Sequence, residues 1–353
     1  MNYVLNRSTR CYLTEDGLVI NTPDIGFLLI SEGIDEYLEL LNIFNNPTSY
    51  DNAYNLLNQS FYVSSKNFDE LIEFSKKNNI LKIHTNSIQE EENFTNYHIQ
   101  KYDRQIKSFL SITGVDLDKA IEMQKKIQNS KIVVIGVGGT GSYLALSLAS
   151  IGVEKLVIVD KDEIELSNTS RQVLYDESDI GEMKINVAEK KLKKYNKNLE
   201  VYKYSRYITE LNDFDFLEEH KDADLIILCA DTPRGKIQDL MDEAANKLSI
   251  PWFAYGPYHH SKVVMGPLFI PGKTKTYSEL FPPSLVIEDP RTETINENFY
   301  AAIVDPFNGL ASKMAAVEVL KFLTGYAPVS ILEKRFIIDT DNWKIEEREY
   351  QCN

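Results

Sequence analysis

Lys131-Ile-Val-Val-Ile-Gly136-Val-Gly138-Gly139-Thr-Gly141 is the stretch that decides how this chain folds. Ile132 to Ile135 is a continuous apolar run, the pattern of a parallel strand buried on both faces. Gly136 and Gly138 permit a tight turn and a close backbone approach to a phosphate. Gly139 and Gly141 complete the loop, and Gly141 lets the next helix pack on the strand. That helix, read as Ser142 to Ser150, directs its N-terminal N–H groups at an anion. A glycine run in strand–loop–helix context predicts nucleotide binding.

Downstream residues narrow the nucleotide. Asp160 closes the apolar strand Leu156-Val-Ile-Val-Asp160, 24 residues after Gly136, where a carboxylate accepts bonds from ribose hydroxyls. Asp162, Asn168-Thr-Ser-Arg171-Gln172 and Lys184 follow. Arginine as a fork and lysine as a point charge are the usual partners of polyphosphate oxygens. Asp231 ends another buried-looking strand, Asp224-Leu-Ile-Ile-Leu-Cys-Ala-Asp231. Ligands of open α/β sheets sit beyond the carboxyl ends of the strands, so Asp160 and Asp231 should border one crevice. A carboxylate there can hold Mg²⁺ together with substrate phosphates. Two cations and a second acidic strand end suggest a triphosphate that is cleaved.

Gly-x-Gly-Gly-x-Gly, Asp160-x-Asp162, Leu-Ser-Asn168-x-x-Arg171-Gln172, Gly181-x-x-Lys184 and a Cys229-x-Asp231 strand end together resemble the ThiF/MoeB adenylating enzymes, relatives of the ubiquitin-activating enzymes. The resemblance covers roughly residues 98–350. It implies that Asp160 binds ribose, that Asn168, Arg171 and Lys184 contact phosphates, and that Asp231 holds the Mg²⁺ of ATP. Lys101-Tyr-Asp-Arg104-Gln105 is similar to a family segment whose arginine reaches the other subunit's site. Arg104 is therefore the candidate arginine finger, and a homodimer is implied.

The chain departs from that family in its cysteines. Cys11, Cys229 and Cys352 form no Cys-x-x-Cys pair, so a structural zinc held by thiolates is excluded. Adjacent His259 and His260 rarely face one ion, and a mixed site on them with an acid is not expected. Cys229, in an apolar strand, reads as an inert small hydrophobe rather than a thioester nucleophile.

Composition sets outer bounds. At 353 residues with 43% apolar content the chain can hold two or three domains with a substantial core. A net charge of −15 disfavours nucleic acid and suggests that a charged partner would be basic. No 18-residue uncharged apolar stretch exists, so no membrane span is expected. The opening Met-Asn-Tyr-Val-Leu-Asn-Arg lacks signal-peptide character, and the unpaired-looking cysteines fit a reducing compartment; a cytoplasmic location is expected.

Residues 1–85 follow a different pattern. Strand-like Tyr3 to Leu5, Arg10 to Leu13 and Leu18 to Asn21 precede helix-like Ile34 to Phe44, Ser49 to Asn58 and Asn67 to Asn78, then a strand Ile80 to Ile83. This order looks like a small winged-helix module, whose strand edge or groove can take a peptide as an added strand. A plain packing or dimerisation domain is the other reading. Residues 86–97 fall in a polar, acidic stretch and read as a linker to an adenylation domain at 98–353. Such a module before an adenylating domain resembles the microcin C-type peptide adenylating enzymes (MccB). The opening seven residues, Arg171-Gln-Val-Leu and Gly266-Pro-Leu-Phe-Ile-Pro-Gly-Lys-Thr274 are similar to segments of those enzymes. The likeness implies a leader or precursor peptide held by residues 1–85.

Later segments read as strands Pro251 to Gly256 and Ser261 to Ile270, with Tyr258, His259 and His260 at the turn between them. A flexible loop is expected near 275–300, over the active site. An amphipathic helix follows from Asn308, as its cap, to Thr324. The fold class is thus α/β, a Rossmann-like doubly wound adenylation domain behind a winged-helix-like peptide module. The expected activity is ATP-dependent adenylation of a carboxylate on a ribosomally made peptide. Two other readings stand beside it. A non-catalytic delivery protein for a separate modifying enzyme would keep the peptide module. A nicotinamide oxidoreductase would use Gly136 to Asp160 but leave Arg171, Lys184 and Asp231 without purpose.

Overall fold

Short strands followed by amphipathic helices near the start, then apolar strands spaced by helices, give two kinds of core. The computed structural model describes residues 1–22, 25–84, 94–258, 261–282 and 303–350. It divides into two compact units, Met1–Lys125 and Lys126–Asn353.

The first unit begins β1 (Asn2–Leu5), β2 (Arg10–Thr14), β3 (Gly17–Thr22) and β4 (Gly26–Ile30). It continues through α1 (Ile34–Ile43), β5 (Thr48–Ser49), α2 (Tyr50–Ser60), α3 (Ser65–Lys77) and β6 (Leu81–Ile83). Strands β2, β3 and β4 form an antiparallel sheet in that order, and β1 lies between β5 and β6 in a second sheet. Ser49 and Ser64 accept from the backbone N–H of Asn52 and Asn67. These caps start α2 and α3, each worth about 1 kcal/mol. Leu18, Ile20, Leu40, Phe44, Leu57 and Phe68, all fully buried, form the core.

Strand β4 is absent from the sequence reading because Gly26-Phe-Leu-Leu-Ile30 follows a turn with little polar alternation. The polar segment expected as a linker lies mostly outside the described residues. Helices α4 (Asn96–Lys101) and α5 (Asp103–Leu110) follow it, within the first compact unit. Lys82 fastens them, donating from Nζ to the carbonyls of Leu110, Ile112 (2.9 Å) and Val115 (3.0 Å). A cation is favourable where a helix leaves carbonyls unpaired. The division between units falls inside α6 (Leu117–Asn129).

The second unit is built on β7 (Lys131–Ile135), α7 (Gly139–Ile151), β8 (Lys155–Val159), α8 (Lys184–Tyr195), β9 (Glu200–Tyr204) and β10 (Leu225–Leu228). After them come α9 (Ile237–Leu248), β11 (Trp252–Tyr258), β12 (Lys262–Met265), α10 (Tyr277–Leu280), α11 (Asp305–Thr324), β13 (Lys334–Asp339) and β14 (Lys344–Glu349). One eight-stranded sheet has the order β14-β13-β12-β11-β10-β7-β8-β9. Strands β9, β8, β7, β10 and β11 are parallel and the other three antiparallel, so the doubly wound core carries an antiparallel wing. The chain moves from β7 outward to β8 and β9, then returns to the other side of β7 for β10. That reversal makes β7/β10 the switch point, where the crevice of such sheets opens. No helix among the described residues is long and apolar enough to cross a membrane.

Candidate active site

Ile135 pairs with Val159 on one side and Leu228 on the other, so β7, β8 and β10 end level with one another. The residues after each strand therefore emerge along one edge: the glycine loop, Asp160, and Cys229-Ala-Asp231. Gly136 has φ 90°, and a Cβ there would lie 3.1 Å from the Ala230 nitrogen, so only glycine turns this corner. Gly141 faces the same corner from α7, where a Cβ would run into the carbonyl oxygen of Gly136. Gly138 has no such crowding; the nearest atom to an added Cβ is Gln172 Nε2 at 3.8 Å. Gly139 is pressed by Asn308, whose Nδ2 would stand 2.8 Å from a Cβ. Helix α7 begins at Gly139, earlier than the sequence reading placed it, and its N-terminus meets the loop as an anion site requires.

Asp160 is fixed by two backbone donors, Val137 N–H to Oδ2 and Asp162 N–H to Oδ1, each 2.9 Å. Burial pushes its carboxyl up from the ordinary value, while the Lys184 ammonium and these N–H groups pull the other way. Lys184, the first residue of α8, is buried and pairs through Nζ with Asp162 Oδ2 at 2.7 Å. Its backbone N–H is held by the Asp162 carbonyl at 3.0 Å, which pins the lysine to the strand end that carries Asp160. Asn168 is buried, and its Oδ1 accepts from Glu165 N–H at 3.2 Å, bracing the turn. Arg171 leaves that turn with its guanidinium bonded to the Ser167 carbonyl. Gln172 is buried beside Gly138, and its Oε1 has no hydrogen-bond partner among the described residues.

Asp231 lies three residues beyond β10 rather than at the strand's end, because the last bond to β7 comes from the Cys229 N–H to the Ile135 carbonyl at 2.8 Å. Its side chain is 76% exposed and meets Arg234 at 3.7 Å and Thr232 Oγ1 at 3.3 Å. An exposed hard oxygen at this edge fits Mg²⁺, which keeps several waters and takes few protein ligands. Among the described residues no group of three or more His, Cys, Asp or Glu side chains is placed to hold a metal.

The second unit thus brings Gly136, Gly138, Gly139, Gly141, Asp160, Asp162, Asn168, Arg171, Gln172, Lys184 and Asp231 to one end of its sheet. Arg104 belongs to the first unit, on α5, with its side chain 93% exposed and its Nε 3.8 Å from Asp103 Oδ2. Cys229 is held against Tyr255 Oη at 3.6 Å, and desolvation pushes its thiol up to about 12, as an inert side chain would have it. His259 and His260 lie outside the described residues.

Other residues of the site carry no motif. Tyr175 Oη donates to the Val137 carbonyl at 2.9 Å, so the loop peptide held by Asp160 is gripped from both sides. Asn308 is not a helix cap. Helix α11 starts at Asp305, with proline in its first turn, and Asn308 sits inside it, 2% exposed, donating to the Arg171 carbonyl at 3.2 Å. Of the flexible loop expected near 275–300, residues 283–302 lie outside the described residues. The part before them is packed: Tyr277 N–H bonds Asp242 Oδ2 at 3.0 Å, and Phe281 stacks under the Arg335 guanidinium at 4.1 Å. Aromatic contacts to Trp252 and Phe269 override the turn-rich composition.

Comparison with known proteins agrees with this geometry. The adenylyltransferase and sulfurtransferase UBA4 of Candida albicans is 27% identical over 236 residues, covering 67% of this chain and 50% of that protein. Ubiquitin-like modifier-activating enzyme 5 of Mus musculus is 29% identical over 218 residues, covering 58% and 53%. The chain spans about half the length of these curated relatives. Among solved structures, E. coli MccB with SeMet MccA superposes with a TM-score of 0.82 at 25% identity, over 100% of this chain and 98% of that one. E. coli MccB with ATP gives 0.81 at 25% identity over the same shares. A profile of the ThiF family matches residues 102–353, which take in the glycine loop, Asp160, Asp231, Arg171 and Lys184. The chain belongs to the ThiF family.

Proposed function

We propose that this chain is an ATP-dependent adenylating enzyme that activates a carboxylate on a ribosomally made peptide. The observation that carries the reading is the level ending of β7, β8 and β10. It supports a single edge with a ribose carboxylate (Asp160), a phosphate loop (Gly136 to Gly141) and a metal-binding carboxylate (Asp231) in succession. A dinucleotide oxidoreductase has no use for the last of these.

In the proposed reaction a carboxylate oxygen attacks the α-phosphorus of ATP in line, the bond to the β-phosphate oxygen breaks, and pyrophosphate leaves. Positioning and charge stabilisation are what a protein contributes to such a transfer. Arg171 presents a fork to the phosphates, and Lys184 supplies charge from the start of α8. The N–H groups of α7 cradle the oxygens. Asp231 would hold Mg²⁺, whose charge neutralises the phosphates when bound. Arg104, almost fully exposed, is proposed to reach the site of a second protomer in a cytoplasmic homodimer.

The peptide part of the reading draws on the first unit. Among the described residues β4 is an outer strand, and beside its end a cavity of about 460 Å³ opens between Ile30, Tyr37, Leu71 and Phe74. Glu32, Glu36 and Glu70 line it, with Lys66 at 3.9 Å from Glu70. An added strand beside β4 could place an apolar or basic side chain there. The solved pairing of E. coli MccB with MccA supports a precursor peptide as the partner. Microcin-like peptide maturation is the setting this implies.

ATP–pyrophosphate exchange tests the reading. Asp231→Ala is expected to lower exchange at least a hundredfold with an unchanged melting temperature, since the side chain is exposed. Normal exchange by that variant would remove Asp231 from the site.

A further inference from the structure

Helix α11 buries a carboxamide where it packs against the start of α7. Asn308 is 2% exposed, and one amide hydrogen of its Nδ2 reaches the carbonyl of Arg171 at 3.2 Å. Two turns of surrounding structure hold it in place. Ser312 Oγ donates to the Thr140 carbonyl at 2.8 Å, and Lys313 Nζ to Ser147 Oγ at 2.9 Å. Tyr255 Oη reaches both Thr140 O (3.2 Å) and Ser312 Oγ (3.1 Å), while Tyr143 Oη bonds Asp305. Helix α11 is thereby strapped along α7 over its first turns.

The consequence falls on two elements that sequence places far apart. Asn308 touches Gly139, the first residue of α7, so closely that any larger residue at 139 would displace it. The same side chain holds the backbone of Arg171, on the turn that also carries Gln172. We infer that Asn308 is a positioning residue of the nucleotide site, clamping the Arg171 turn to the glycine loop. This rests on the nucleotide reading above. The clamp sets the guanidinium and the first N–H groups of α7 in one frame, so that both address the same phosphate oxygens. A displacement of an ångström between such groups is enough to lose much of their joint effect.

A double-mutant cycle on ATP affinity, measured by calorimetry, separates this role from simple packing. Asn308→Leu keeps most of the bulk and removes the donor, and Asn308→Ala carries the same cycle if leucine does not fit. In the protein with Arg171 intact, the substitution is expected to weaken ATP binding about tenfold, the size of one hydrogen bond to a charged group. In an Arg171→Ala background it should change affinity less than twofold, because the guanidinium it positions is gone. An equal loss in both backgrounds, or no loss in either, would overturn the inference. Failure of the unsubstituted protein to bind ATP would instead sink the nucleotide reading, and the inference with it.

Discussion

The two compact units treat space in opposite ways. In the second, the turn from β7 into α7 is crowded at three of its glycines: Gly136 is wedged against Ala230, Gly141 against Gly136, and Gly139 against Asn308. In the first, a cavity of about 460 Å³ stands open beside the outer strand β4. A crowded backbone loop fixes N–H groups for a ligand whose shape never varies, such as a triphosphate. An open groove with an apolar floor and acidic side chains tolerates variation in what enters it. Under the proposed function, the difference assigns invariant chemistry to packed main chain and a selectable partner to exposed side chains.

Two glycines of the loop give the largest expected effect. Gly141→Ala places a methyl where the Gly136 carbonyl already sits, and overpacking of this kind costs about 1–3 kcal/mol or more. Thermal melting of the variant should fall by several degrees, with ATP binding lost. Gly138→Ala has room for its methyl, so its melting temperature should match that of the unsubstituted protein. Its ATP affinity should nonetheless fall about tenfold, because the methyl obstructs the approach of a phosphate to the backbone. Equal behaviour of the two variants would erase the distinction between a packing glycine and a ligand glycine.

Charge reversal in the groove is expected to have a smaller effect. Glu36→Lys with Glu70→Lys should weaken binding of a basic peptide about tenfold at low ionic strength, and less at high salt. ATP affinity, a property of the other unit, should not move. A drop in both, read by calorimetry with each ligand alone, would mean that the units do not divide the work as described.

Much of this was legible in the chain, and the exceptions follow a rule. Backbone-driven features declare themselves: Gly136 and Gly141 are glycine because nothing else fits, and Ile132 to Ile135 is apolar because both faces are covered. Asp160 and Lys184 were readable from spacing, since each follows directly on a strand end or opens a helix. Asn308 and Tyr175 were not, because their partners are main-chain carbonyls, at Arg171 and Val137, that any residue could supply. Strand β4 and the packed turn at Tyr277 were missed for a related reason. Their structure is imposed by neighbours, β3 for the one and Trp252 with Asp242 for the other, rather than by local pattern. The position of Asp231 beyond its strand is a matter of where pairing stops, which hydrophobicity alone does not mark.

The most direct measurement is ATP–pyrophosphate exchange by the purified protein, alone and with each short peptide encoded beside its gene. Exchange that appears only with one peptide, and disappears in the Arg171→Ala protein, is the expected result. ATP binding without exchange, whatever peptide is offered, would contradict carboxylate adenylation and leave a nucleotide-binding protein that delivers a peptide to another enzyme.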